Sequence, residues 1–156
     1  LITEKRDPAP IIVPNLVKNL GSEGSVIVWN QSFEAHRNQD LASHCPSYKA
    51  QLESINDRLY DLMLIFRDGL FVHPDFHGSA SLKAVLPVLC PELSYDELDV
   101  SNGEEAMMTW YWLQTADLSE ENLKQTRAAM REYCKLDTFA MVAILEKLEK
   151  ILRRSL

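Results

Sequence analysis

Ser25-Val26-Ile27-Val28-Trp29-Asn30-Gln31-Ser32-Phe33-Glu34 is the stretch whose reading decides the fold. Gly24 leads into a β-branched run that reads as a short buried strand over Ser25 to Trp29. Asn30 to Ser32 break the strand and open a helix, with Ser32 read as its N-cap. Glu34 then falls in the first helical turn. A carboxylate there stands at the C-terminal edge of a strand, where α/β folds place their sites. The position also has an ordinary explanation, because the helix dipole favours an acid in the first turn.

Upstream, Ile12, Val13, Leu16, Val17 and Leu20 recur at helical spacing from Ala9 to Leu20, and Gly21 ends the pattern. Leu1 to Pro8 reads as a loop leading into that helix. The chain starts with Leu1 rather than Met and is read as a piece of a longer protein. Downstream, the helix opened at Ser32 runs to His44 and stops before Pro46. A second helix is predicted from Ser47 to Leu59, with Leu52, Ile55 and Leu59 facing inward. Tyr60 to Phe66 suits either a helix or a strand entering one; we read it as mostly helix. Leu70 to His73 reads as a short strand and His73 to Ser81 as a loop. Ser81 caps a helix that reaches Leu89 in spite of Pro87. A turn at Tyr95 to Leu98 precedes a helix from Glu104 to Thr115. The last helical region runs from Ser119 to Arg154 with a bend near Cys134, and Arg153 and Arg154 suit its C-terminal dipole. About seven helices and one or two strands point to a single α/β domain, mostly helical and poor in strands.

Hydrophobic residues make up 46% of the 156, enough for a real core. No apolar run approaches the roughly 20 residues of a membrane span, so a soluble, cytoplasmic protein without membrane partners is expected. The net charge of −7 argues against gripping nucleic acid by broad charge attraction. Carboxylate-rich metal sites remain compatible with it. Cys45, Cys90 and Cys134 are too few and too widely spaced for a disulfide framework, and each reads as a small buried hydrophobe.

The second informative segment is Tyr133-Cys134-Lys135-Leu136-Asp137-Thr138. Tyr133 and Asp137 are four apart and share a helix face. A phenol beside a carboxylate suits metal-assisted hydrolysis, the acid holding the ion and the phenol orienting or helping deprotonate a bound water. The same pair also suits a tyrosine packed at the core edge beside a solvated acid. Other signals are weaker. His73 and His77 lie four apart, but Pro74 and Gly78 argue for a loop rather than a zinc-binding helix face. Trp110, Tyr111 and Trp112 are consecutive, point different ways, and read as core packing. Lys124, Arg127 and Arg131 read as a solvated, salt-bridged face. Asp61 reads as a helix-capping acid.

Taken together, Asn30 to Glu34 resemble the second motif of the DEDD exonucleases, and Tyr133 to Asp137 resemble the third in its tyrosine form, about one hundred residues later. Trp29 to Glu34, Asp61 to Phe66, Gly78-Ser79-Ala80-Ser81-Leu82-Lys83-Ala84-Val85-Leu86-Pro87, Tyr95, Gly103 to Ala106 and Tyr133 to Met141 resemble more narrowly an uncharacterised bacterial family. That family is a domain of unknown function assigned to the ribonuclease-H-like exonuclease superfamily. The resemblance covers nearly the whole chain. It implies a mostly helical C-terminal fragment of that fold, residues 1–156, lacking the N-terminal strands and the first acidic motif.

The resemblance further implies metal-dependent 3′–5′ hydrolysis of single-stranded DNA or RNA. Glu34 and Asp137 would be ligands for Mg²⁺ or Mn²⁺ in a two-metal site, and Tyr133 would position the attacking water. Asn30 would shape the strand-to-helix turn and touch substrate. Independently of the resemblance, Lys83 follows Gly78-Ser79-Ala80-Ser81 near a helix N-terminus and is a candidate phosphate contact, the ordinary alternative being a solvated surface charge. Two departures stand out. Glu34 replaces the usual Asp, and no Asp-x-Glu of the first motif occurs in the chain. The missing strands are expected upstream, so the fragment is expected to be inactive alone. A truncated sheet would expose an edge open to self-association. The other reading is a non-catalytic nucleic-acid- or protein-binding module on a degenerate nuclease fold.

Overall fold

The structure, a computed structural model, describes residues 7–155. The loop predicted over Leu1 to Pro8 thus lies outside the described residues except for its last two. The chain divides into two compact units, one ending at Val72 and the other starting at His73.

In the first unit, α1 (Ala9–Leu20) turns its apolar stripe inward and buries Val13 completely. Gly21, at φ 57°, takes the left-handed region that ends the helix, and its N–H reaches the Val17 carbonyl. Strand β1 (Val26–Val28) follows, then α2 (Gln31–His44), a 3₁₀ turn at Pro46–Tyr48, α3 (Lys49–Asn56), β2 (Leu59–Asp61) and the short α4 (Leu64–Arg67). The two strands pair in parallel, Val26 with Leu59, Ile27 with Tyr60 and Val28 with Asp61. A helical crossover between parallel strands is the βαβ arrangement. Leu52 and Ile55 of α3 close on Val13 to form the core of this unit.

Three expectations change here. Leu59 to Asp61 form a strand, so α3 ends at Asn56 and the 60–66 stretch is not mostly helix. Three residues carry no usable alternation, and pairing with β1 selects the extended form. Leu70 to Val72 form no strand; Leu70 is 79% and Val72 76% exposed. Asn30, not Ser32, is the N-cap of α2.

Arg58 at the entrance to β2 holds the connection between α1 and β1. Its guanidinium donates to the carbonyls of Glu23 at 2.7 Å and of Gly24 and Gly21 at 2.8 Å. The forked donor set suits several carbonyls left without partners beyond a helix end.

In the second unit, a 3₁₀ turn at Pro74–Phe76 sits between His73 and His77. Helix α5 (Leu82–Leu89) is capped by Ser81, whose hydroxyl accepts the Ala84 N–H. Pro87 is the sixth of its eight residues and gives no N–H to the Lys83 carbonyl, a modest loss so near the helix end. Helix α6 (Gly103–Thr115) is capped by Asn102. Helix α7 (Glu120–Ser155) is continuous through Cys134. Met130, Tyr133, Ala140, Ile144 and Leu148 are its buried stripe.

Two packing expectations fail in part in this unit. Tyr111 is 64% and Trp112 46% exposed, because α6 buries only Leu113. Cys90 is buried as read, but Cys45 is half-buried and Cys134 exposed. Among the described residues no helix is long and apolar enough to cross a membrane. At the coarse level the chain is a mostly helical protein with a small two-stranded parallel sheet.

Asp61 ends β2 at 6% exposure, and its oxygens accept the backbone N–H groups of Asn30, Gln31 and Met63. Asp61→Ala leaves those three donors without their acceptor and is expected to lower stability by about 3 kcal/mol. Asp61→Asn keeps one accepting oxygen and should lose about half as much. Urea denaturation of the three chains measures both, and equal midpoints would refute the account.

Candidate functional site

The strand-to-helix turn after β1 is built by two side chains. Asn30 occupies the left-handed region at φ 82°, ψ 79°, a conformation that Asn tolerates better than most non-glycine residues. Its Oδ1 accepts from the Phe33 N–H at 3.3 Å and from the Ser32 hydroxyl at 2.9 Å. Asp61, on the neighbouring strand, accepts the N–H groups of Asn30 and Gln31 at 3.0 Å each. One carboxylate thereby serves the first N–H groups of α2 from outside the helix, which also suits its dipole. Glu34 stands one turn further along α2, half-buried, its own N–H directed at the Asn30 carbonyl. Asn30 does shape the turn, and its side-chain oxygen is occupied in doing so. Asp61 is the helix-capping acid that its sequence position suggests, capping through space rather than along the chain.

The second cluster lies on α7. Tyr133 and Asp137 face the same way, one turn apart, and Tyr133 is 8% exposed. Sequence reasoning missed the residue that completes the pair. Tyr95, in the connection between α5 and α6, donates its hydroxyl to Asp137 Oδ1 at 2.7 Å. Its ring lies 6.1 Å from that of Tyr133, tilted by 51°. Nothing in Leu93-Ser94-Tyr95-Asp96 marks this role, since the partner lies 42 positions away. Lys83, read as a phosphate contact, places its ammonium 5.8 Å from the centre of the Tyr95 ring. Lys83, Ser94, Tyr95 and Ser101 line a pocket of about 150 Å³. The first residue of α6 also borders the cluster, for a Cβ at Gly103 would stand 3.8 Å from the Tyr133 hydroxyl.

Burial, then the hydrogen bond to Asp137 and its charge, push the Tyr95 phenol far above its usual range. Burial first, and the Asp137 charge next, push the Tyr133 phenol up to about 12. Both phenols therefore keep their protons at neutral pH. Tyr133 can donate a hydrogen bond and orient a water, but it is poorly suited to remove a proton.

The structure brings Tyr133, Asp137, Tyr95 and Lys83 together in the second unit, and Asn30, Glu34 and Asp61 in the first. Glu34 and Asp137 belong to different units. Among the described residues no three His, Cys, Asp or Glu side chains gather into a group that could hold a metal ion. The donor set therefore falls short of a two-ion centre, which needs several carboxylates around each pair of ions.

Residues 1–81 match the family described as "Domain of unknown function (DUF2779)", and the chain belongs to that family. Over 144 residues it is 28% identical to the uncharacterised protein MG366 homolog of Mycoplasma pneumoniae, covering 85% of this chain and 22% of that one. Over 155 residues it is 24% identical to the uncharacterised protein MG366 of Mycoplasma genitalium, covering 92% and 23%. Over 151 residues it is 30% identical to the uncharacterised protein UU173 of Ureaplasma parvum, covering 85% and 21%. The chain thus spans about a fifth of the length of the curated relatives it matches. No solved structure matches it.

The Asn30 geometry makes its own prediction. Asn30→Ala removes the cap and puts a Cβ-bearing residue without a polar side chain at positive φ, so it should cost about 2 kcal/mol. Asn30→Gly gives up the cap but accepts the backbone conformation and should cost only a few tenths. Chemical denaturation of the two variants compares them, and equal losses would contradict the left-handed cap.

Proposed function

We propose that this chain supplies the second and third acidic motifs of a ribonuclease-H-like 3′–5′ exonuclease domain within a longer protein. The observation that carries the reading is the Tyr133–Asp137 pair, a buried phenol and a held carboxylate one helical turn apart. The strand-to-helix turn bearing Asn30 and Glu34 supports it, because it stands at the C-terminal edge of a parallel strand pair. The substrate class is single-stranded DNA or RNA, and the bond cleaved is a phosphodiester.

Mg²⁺ or Mn²⁺ is the cofactor that such a domain would use. The described residues do not by themselves assemble a group able to hold it. In this reading the remaining acids come from elsewhere in the longer protein, and the chain alone is inactive. Within the chain, Asp137 contributes a carboxylate and Tyr133 a protonated phenol that orients a water. Glu34 is the acid of the motif in the first unit, and Lys83 supplies a cation beside the Tyr95 ring.

A second reading is favoured by the aromatic rings that α6 exposes: a nuclease fold that binds nucleic acid or protein without cutting. Tyr111 and Trp112, exposed on α6, are the groups such a module would offer to a base or to an apolar partner.

The longer protein, incubated with Mn²⁺ and end-labelled single strands, should shorten them from the 3′ end. Asp137→Ala should abolish the reaction, and Tyr133→Phe should lower kcat by about 100-fold. Equal rates for the wild type and Asp137→Ala would end the nuclease reading. Retained binding with no cleavage by any form would establish the module instead.

A further inference from the structure

We propose that Tyr95 is a positioning residue for Asp137: its hydroxyl holds Oδ1 and thereby fixes which way the carboxylate presents Oδ2. The inference rests on the nuclease reading only for its functional consequence.

An aspartate on a helix surface has a short side chain that exchanges readily among rotamers unless something holds it. Asp137 is half-buried, and the 2.7 Å hydrogen bond from Tyr95 is short enough to be charge-assisted. The donor is itself held. Tyr95 is 7% exposed, its carbonyl accepts the Leu98 N–H in a turn, and its ring is bordered by the Tyr133 ring and the Lys83 ammonium. A buried hydroxyl requires a partner, and Asp137 is the one it has. Burial and the neighbouring charge keep that phenol protonated, so the bond persists through the neutral range. The constraint is therefore mutual, with packing fixing the phenol and the phenol fixing the acid. Lys83 acts one step further out, through the ring face rather than on the carboxylate.

The test is the χ1 rotamer of Asp137, read from NMR scalar couplings in the wild-type chain and in Tyr95→Phe, which keeps the ring and its packing. One rotamer is expected in the wild type and averaging among rotamers in the variant. A single unchanged rotamer in Tyr95→Phe overturns the proposal. Should that variant fail to fold, the wild type carries the test. In mixed H₂O and D₂O the Asp137 carboxyl carbon should show an isotope shift transmitted from the Tyr95 hydroxyl, and its absence overturns the proposal equally.

In the longer protein, Tyr95→Phe should then lower kcat by about 10- to 100-fold with KM for the strand nearly unchanged. Unaltered hydrolysis in Asp137→Asn would remove the nuclease reading while leaving the rotamer result intact. The two failures are therefore separable.

Discussion

The buried carboxylate of Asp61 is the constraint on which the first unit depends. A carboxyl group at 6% exposure is tolerable only if its oxygens are engaged, and here three backbone N–H groups engage them. Those donors belong to the end of β1, the start of α2 and the start of the segment leading into α4. The strand pair is only three residues long on each side, too short to hold its register by ladder hydrogen bonds alone. Asp61 adds a tie at one end of β2. Arg58 adds one at the other, spanning the carbonyls of Gly21, Glu23 and Gly24. Between these two charged clasps the register is set by geometry, and the left-handed Asn30 is the backbone shape that follows.

Asp137 is held in a different way. Asp61 is satisfied by main chain, so its position is as rigid as the elements it joins. Asp137 is held by side chains, the Tyr95 hydroxyl at 2.7 Å and the Tyr133 hydroxyl beside it, and Tyr95 can let go without disturbing a helix. A carboxylate whose partners are phenols, Tyr95 and Tyr133, can exchange one of them for a ligand at modest cost, whereas removing Asp61 from its three donors would expose the start of α2. The arrangement assigns the two acids to different work. Asp61, although it stands at a strand's C-terminal edge, is structural, and Asp137 is the acid that chemistry could use.

The elements legible in the sequence are those whose signals are local. The apolar stripe of α1 and its terminal Gly21, the Ser81 cap of α5 and the span of α7 are decided by residues within a few positions of each other. Strand β2 is not of that kind. Leu59-Tyr60-Asp61 could continue either neighbouring helix, and only the β1 edge makes it a strand. Arg58 likewise shows nothing in sequence that would send its guanidinium across 34 to 37 positions to the carbonyls that precede the first strand. Asn30 was assigned to substrate and turn together, and the structure accounts for its oxygen within the turn. Tyr95 lay inside a recognisable stretch, but its meaning is its contact with Asp137, a relation between distant positions that no single segment contains. The exposed Tyr111 and Trp112 mark the opposite limit, since aromatic composition alone does not say how wide a helix's buried face will be.

Charge balance finally separates holding an acid from attracting a nucleic acid. The chain has 23 acidic and 16 basic residues. Several of its cations are already opposite an acid on the same helix, as in Arg37 with Asp40, Lys49 with Glu53, Lys135 with Glu132 and Lys150 with Glu146. Such exposed pairs add little to stability, but they cancel the field that would draw in a phosphate backbone. Lys83, which lies over the Tyr95 ring and is felt by the Glu105 carboxylate, stands close to the Asp137 cluster. A single cation there can orient a phosphate that has arrived, yet it cannot offset a net charge of −7 at a distance of more than a Debye length. If this chain meets nucleic acid, the attraction has to be supplied by divalent ions or by basic surface on the rest of the protein. What these residues contribute is the local geometry of an acid and two phenols.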